Sequence, residues 1–302
     1  MTAGRWNDGL SIEPSLPTLV AAELAEPVDP RVSAMAAAIA AEYPGAARAV
    51  LFYGSCLREA GLDGLMLDFY LVVSSYRAAY GRGWFAFANK LVPPNVFPFA
   101  HQGLAAKYAV LSEADFLREN GPEAGTVSVW ARFAQPSRLV WAADEAARET
   151  AVAAVARAAP TLLGFALPMT EGAGGDPLAV WRRGFELTYD SELRAERKGR
   201  SGSIVDTDPE RYARFGAAAS RLAVAAPNAD RRWRRFRRKG KAMSLIRLAK
   251  ATTTFAGGVD YLAWKINRHA GTKLVVKPWQ RRWPILGALT LLPRLWRRGV
   301  IR

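Results

Sequence analysis

The chain of 302 residues contains one cysteine, Cys56, and two histidines, His101 and His269. A single thiol excludes an internal disulfide framework and any zinc site built from several cysteines, and it suits a reducing compartment. Neither histidine has a partner at ligand spacing, which disfavours a histidine-based metal cluster. Long apolar runs are also missing. The longest, "TLLGFALPMT" and "PILGALTLLP", fall short of the roughly 20 residues that span a bilayer, and each contains proline. The opening "MTAGRWNDGLSIEPSLPTLV" has no basic region followed by an apolar core, so no secretory signal is expected. These absences predict a cytoplasmic protein, soluble or bound to a membrane surface.

Acidic residues are scarce where basic ones are dense. From Arg231 to the end there are 20 Lys/Arg and one acid, Asp260, a net charge of +19, whereas residues 1–230 carry 22 Lys/Arg against 26 Asp/Glu, a net of −4. A near-neutral body with a strongly basic tail implies a polyanionic partner for the tail. Five of the ten tryptophans lie in this tail, in stretches such as "RRWRRFRRKGK" and "WQRRWPILGALTLLPRLWRRGVIR". Tryptophan and cations flanking short apolar segments suit an interfacial segment on an anionic membrane. A nucleic-acid arm has similar ingredients, but nucleic acid has nothing to bury the apolar run 284–293. The membrane reading is therefore preferred, with residues 231–302 as the membrane-binding tail.

The length exceeds a typical single domain, and half the residues are hydrophobic, so a catalytic core with one appended domain is expected. "DPRVSAMAAAIAAEYPG" predicts a helix with Asp29 as N-cap and Pro30 in its first turn. "ARAVLFY" and "LMLDFYLVV" are the clearest strands, apolar enough to be central. The segment "YGRGWFAFANKLVPPNVFPFA" reads as loop, followed by a strand over residues 108–111 and a helix capped by Ser112. From about residue 140 the spacing turns helical. The expected division is a core over 1–139, a helical domain over 140–230 and the basic tail over 231–302, in an α+β fold.

Two features carry chemistry. Gly54–Ser55 ends the first strand, and Asp68 interrupts the second. Structurally, these are a tight turn and a solvated strand-end acid. Functionally, Gly54 would let the backbone approach a triphosphate, the Ser55 hydroxyl and nearby amides would bind its oxygens, and Asp68 would hold Mg²⁺. That pair at this spacing resembles the nucleotidyltransferase superfamily related to DNA polymerase β. The usual second acid two residues on is absent, since Tyr70 stands there.

In the order of its motifs, from residue 48 to about 206, the chain resembles the mitochondrial-type CDP-diacylglycerol synthases, the translocator assembly and maintenance family of CTP:phosphatidate cytidylyltransferases. "YGS", "LDFYLVV", "GWFAFANKLVPPN", "KYAVLSEADFL", "ARFAQPSRLV" and "YDSELRAERKGRSGSIV" match that family's elements in turn. The glycine and lysine of its Gly-Arg-Leu-x-Lys-Pro-Val element are missing. The resemblance implies a polymerase-β-like core and transfer of CMP from CTP to a phosphatidate-like lipid. It further implies Mg²⁺ on Asp68, with Glu192 either the second metal ligand or a solvated helix-face acid, and with Gly54, Ser55, Lys107, Arg194 and Arg200 (or Lys198) as substrate-binding residues. Trp84 and Asn89 either contact the base, shape a lipid entrance or pack in the core. A nucleotidyltransferase acting on RNA or a small molecule, and a non-catalytic lipid-binding protein, remain the alternatives.

Overall fold

The computed structural model describes residues 14–58, 61–91, 93–170, 177–191, 204–254 and 276–279. Among these the class is α+β, with eleven α-helices and one five-stranded mixed sheet. The strands are β1 (Ala47–Tyr53), β2 (Met66–Val73), β3 (Asn95–His101), β4 (Leu104–Ser112) and β5 (Ser137–Ala142), in the order β3-β4-β2-β1-β5. β2 and β4 are parallel; every other pairing is antiparallel. The helices before β4 are α1 (Leu16–Leu24), α2 (Pro30–Ala41), α3 (Tyr76–Tyr80) and α4 (Trp84–Leu91). After it come α5 (Glu113–Asn120), α6 (Trp130–Phe133), α7 (Glu145–Ala156), α8 (Ala158–Ala166), α9 (Pro177–Ser191), α10 (Pro209–Ser220) and α11 (Ala229–Thr254).

Both faces of the sheet are covered, which is why β1 and β2 read as nearly continuous apolar runs. Val50, Phe52, Phe69, Leu71 and Val110 point to one side, where Val32, Met35 and Ile39 of α2 bury them. Ala49, Leu51, Tyr70, Val72 and Leu111 point to the other, into a larger core shared with α1 and α5–α11. Helix starts follow local capping chemistry. Asp29 accepts the Arg31 N–H at 2.8 Å ahead of Pro30, and Ser112 accepts the Asp115 N–H at 3.2 Å. α7 and α8 form the one stretch among the described residues, Glu145–Met169, long and apolar enough to cross a bilayer; 67% of its apolar window is buried inside the protein.

Two segments differ from expectation. The predicted loop around residues 80–100 holds α4 and β3. A strand containing Pro98 is tolerated because β3 is an edge strand, where a missing N–H breaks no ladder. The second is β5, inside the stretch read as the end of the core. Its pairing partner is β1, more than 80 positions earlier, so nothing in its local sequence announces it.

The start of the basic tail is built into the core. Trp233 is 1% exposed and Phe236 is buried beside Trp130 and Phe165, and the Trp233 Nε1–H donates to the Phe165 carbonyl at 2.9 Å. Gly240 lets α11 cross so close to the Ser191 carbonyl of α9 that a Cβ would overlap it. The arginines between these positions, among them Arg231, Arg234, Arg235, Arg237 and Arg238, stay exposed. α11 is thus a core helix with a cationic outer surface.

Candidate functional site

Strand register places Asp68 in a row that crosses the sheet. Ser137 of β5 pairs with Tyr53 of β1, Tyr53 with Asp68 of β2, Asp68 with Lys107 of β4, and Lys107 with Pro98 of β3. Residues directly opposite in such a ladder share a face. Asp68 therefore shares the face of Tyr70 and the larger core, at the end of β2 where β1 runs out into Gly54.

The Gly54–Ser55 turn and Asp68 meet there. Gly54 has φ +100°, a conformation that side-chain-bearing residues rarely adopt, so glycine is required by the backbone. A Cβ at Gly54 would stand 3.6 Å from Asp68 Oδ2, ordinary contact, which measures how close the turn lies to the carboxylate. The exposed Ser55 begins a single 3₁₀ turn, Ser55–Arg58, closed by the Leu57 N–H on the Gly54 carbonyl at 3.3 Å. A single turn presents fewer aligned amides and a weaker dipole than a full helix.

Lys107 pairs with Asp68. Its Nζ is 3.1 Å from Asp68 Oδ1, and both side chains are partly exposed. Behind the pair lies Tyr53. Burial pushes its hydroxyl well above the usual tyrosine value, and the charge on Asp68 adds to this. The charge of Arg132, and a hydrogen bond to it, act in the opposite direction. Arg132, which also donates to the Ser128 carbonyl, is a site cation that sequence reasoning missed. Ser137, fully buried, has a hydroxyl with no hydrogen-bond partner among the described residues.

Glu192, Arg194, Lys198 and Arg200 lie outside the described residues; α9 ends at Ser191, immediately before Glu192. Asn89 is a packing residue. Its Nδ2 donates to the Val110 carbonyl at 2.9 Å and its Oδ1 accepts the Asn95 N–H. Trp84, by contrast, is exposed. His101 stacks on Phe99 at the end of β3.

No group of three His, Cys, Asp or Glu among the described residues could hold a metal. Mg²⁺ keeps several waters and often takes only one or two carboxylates plus substrate phosphates. Asp68 beside the open Gly54 turn fits that donor set. A cavity of about 310 Å³ is lined by Leu57, Arg138 and the buried Glu23–Arg211 pair, with none of Gly54, Ser55, Asp68 or Lys107 in its wall. Another, of about 560 Å³, lies between α8 and the segment 222–227 and includes none of the site residues.

No protein-family model matches the chain, and no curated protein matches it significantly.

Proposed function

We propose that the chain is a peripheral-membrane cytidylyltransferase that transfers CMP from CTP to a phosphatidate-like phospholipid, giving a CDP-lipid and pyrophosphate. The observation that carries this reading is the approach of the Gly54 turn to Asp68, a backbone able to receive phosphate beside a carboxylate able to hold Mg²⁺. A sheet in which β2 pairs antiparallel with the strand of the turn and parallel with β4 suits a nucleotidyltransferase core.

The roles follow from the chemistry of each group. Gly54, lacking a side chain, lets the triphosphate approach the main chain, and the exposed Ser55 hydroxyl donates to a phosphate oxygen. Asp68 would hold Mg²⁺, with Glu192 assigned as the second carboxylate. Bound Mg²⁺ would offset charge on the triphosphate and its transition state. Lys107 orients the Asp68 carboxylate through their ion pair and supplies positive charge next to the phosphates. Arg194 and Arg200 are assigned to the same electrostatic task. In the reaction, an oxygen of the lipid phosphate forms a bond to the α-phosphorus of CTP, and the bond to the bridging oxygen of the β-phosphate breaks. A phosphate monoester, with its second pKa near ~6, is already anionic at neutral pH. The site therefore needs no general base, and both carboxylates can be assigned to Mg²⁺. Attachment to the membrane is assigned to the cationic surface of α11 and residues 255–302.

The test is incubation with each of the four nucleoside triphosphates, Mg²⁺ and a panel of phospholipid, RNA and small-molecule acceptors, read by mass spectrometry. A CDP-lipid from CTP and phosphatidate is expected, and Asp68→Asn is expected to slow its formation at least ~100-fold, the scale of losing a main electrostatic contributor. Asp68 sits in a partly exposed pair, so this variant should stay folded, losing at most about 1 kcal/mol. Turnover by Asp68→Asn within a few-fold of wild type, or pyrophosphate release with no acceptor but RNA, refutes the proposal.

A further inference from the structure

α4 is built to keep an apolar face in solvent. Trp84, Phe87 and Leu91, spaced i, i+3 and i+7, share one side of the helix and are 66%, 59% and 67% exposed. The Trp84 and Phe87 rings touch at a centroid distance of 5.8 Å, forming one ridge. The opposite side of α4 is fixed to the sheet. Ala88 and Asn89 are buried, Asn89 bridges to β4 and β3, and the Asn95 Nδ2 donates to the Phe85 carbonyl at 3.1 Å. Rotating the helix to hide the ridge would break these buried hydrogen bonds, so the exposure belongs to the fold.

Along the chain, the charge flanking the ridge has one sign. No Asp or Glu occurs from Phe69 to Ser112, while Arg77, Arg82 and Lys90 are all exposed on and beside α4. The arginine-rich helix α11 packs against β3, the edge strand that follows α4. We infer that α4 is a membrane-docking element that inserts Trp84, Phe87 and Leu91 into the headgroup boundary of an anionic bilayer, with Arg77, Arg82 and Lys90 on lipid phosphates. This extends the peripheral-membrane reading above, which assigned attachment to α11 and the residues after it. An aromatic and leucine face ringed by cations is the composition of an interfacial helix.

Two other occupants fit less well. An eight-residue helix is about 12 Å long, too short to supply alone the ~800 Å² per partner of a stable dimer. Single-stranded nucleic acid would stack on rings separately, and it has nothing to cover Leu91.

The test uses the full chain with vesicles of phosphatidylcholine containing phosphatidylglycerol, without CTP or phosphatidate. Phe87→Ser/Leu91→Ser alters only exposed side chains and should lower vesicle partitioning at least about tenfold. Arg82→Gln/Lys90→Gln should lower it on these vesicles and leave pure phosphatidylcholine unaffected. An environment-sensitive dye on Phe87→Cys, the native Cys56 being buried, should report an apolar surrounding on vesicle addition. The same dye on Glu149→Cys of α7 should not. Unchanged partitioning by the serine variant, or a silent dye at 87 while the protein sediments with vesicles, overturns the inference. So does a dye response to RNA alone, or a wild-type dimer that the serine variant converts to monomer. Turnover of CTP with a soluble short-chain acceptor is measured on the same proteins. Wild type that binds through α4 but lacks turnover refutes the cytidylyltransferase reading alone. Turnover with a silent ridge refutes this inference alone.

Discussion

Trp233→Ala should destabilise the protein by about 3–5 kcal/mol, although the residue lies in a run of arginines that reads as a solvated tail. Trp233 is 1% exposed and meets Trp130, Phe165 and Phe236 edge-on at centroid distances of 6.1, 6.3 and 5.6 Å. Such aromatic pairs add about 0.5–1.5 kcal/mol each beyond burial. Removing the indole also orphans the Phe165 carbonyl that accepts its N–H at 2.9 Å, so the loss should fall in the upper part of the range. Against a total stability of about 5–15 kcal/mol that is a large fraction. Trp233→Phe keeps a ring and loses the hydrogen bond, and should cost about 1–2.5 kcal/mol. Arg234→Ala, on the exposed side of the same helix, should stay within about 0.5 kcal/mol of wild type. The assay is urea unfolding followed by circular dichroism, in which a shifted midpoint at constant slope reports stability. If Trp233→Ala costs no more than Arg234→Ala, α11 is not part of the core and its packing as described is wrong. The same reasoning dictates how the tail is tested for membrane binding. Deletion from residue 231 would remove Trp233 and Phe236 and damage the fold, whereas deletion of 255–302 removes a net charge of +9 and spares both.

Glu23 and Arg211 form a buried pair joining α1 to α10, with Arg211 Nη2 donating to Glu23 Oε1 at 3.0 Å and Nη1 to the Ala134 carbonyl. Glu23→Ala should cost about 3–5 kcal/mol by stranding the guanidinium, and Glu23→Leu/Arg211→Met should recover most of it; a single variant costing under about 1 kcal/mol would contradict this. Stability should also fall in alkali. Burial raises the hydroxyls of Tyr43, Tyr53, Tyr76, Tyr80 and Tyr108 above their ordinary value. The folded state thus keeps protons that the unfolded chain releases above about pH 10. Their contribution is complete below that pH and is lost progressively as pH rises above it toward the raised folded values. Equal urea midpoints at about pH 8 and about pH 11 would refute the assignment.

β1, β2, the caps at Asp29 and Ser112, and the glycine turn were legible in the sequence because each depends on neighbours within a few positions. Apolar continuity marks a strand covered on both faces, Pro after Asp marks a helix start, and Gly followed by Ser marks a chain reversal. Asp68 was conspicuous for the same reason, a charge inside an apolar run. The pairing of Asp68 with Lys107 was not, although the family resemblance names both. Lys107 reaches Asp68 only through the parallel register of β2 and β4, 39 positions apart, and one lysine in a strand carries no mark of which strand will lie beside it. Arg132 and Ser137 joined the site in the same way, through a return of the chain to β1 that local composition does not encode. The two tryptophan-bearing segments were decided by tertiary structure alone. "WFAF" and "RRWRRF" are both aromatic and helical, yet buried asparagines hold Trp84 out in solvent, while Gly240 and the Phe165 carbonyl draw Trp233 into the core. Periodicity states that a helix has an apolar side; only the surfaces packed around it determine whether that side meets protein or is left for something else.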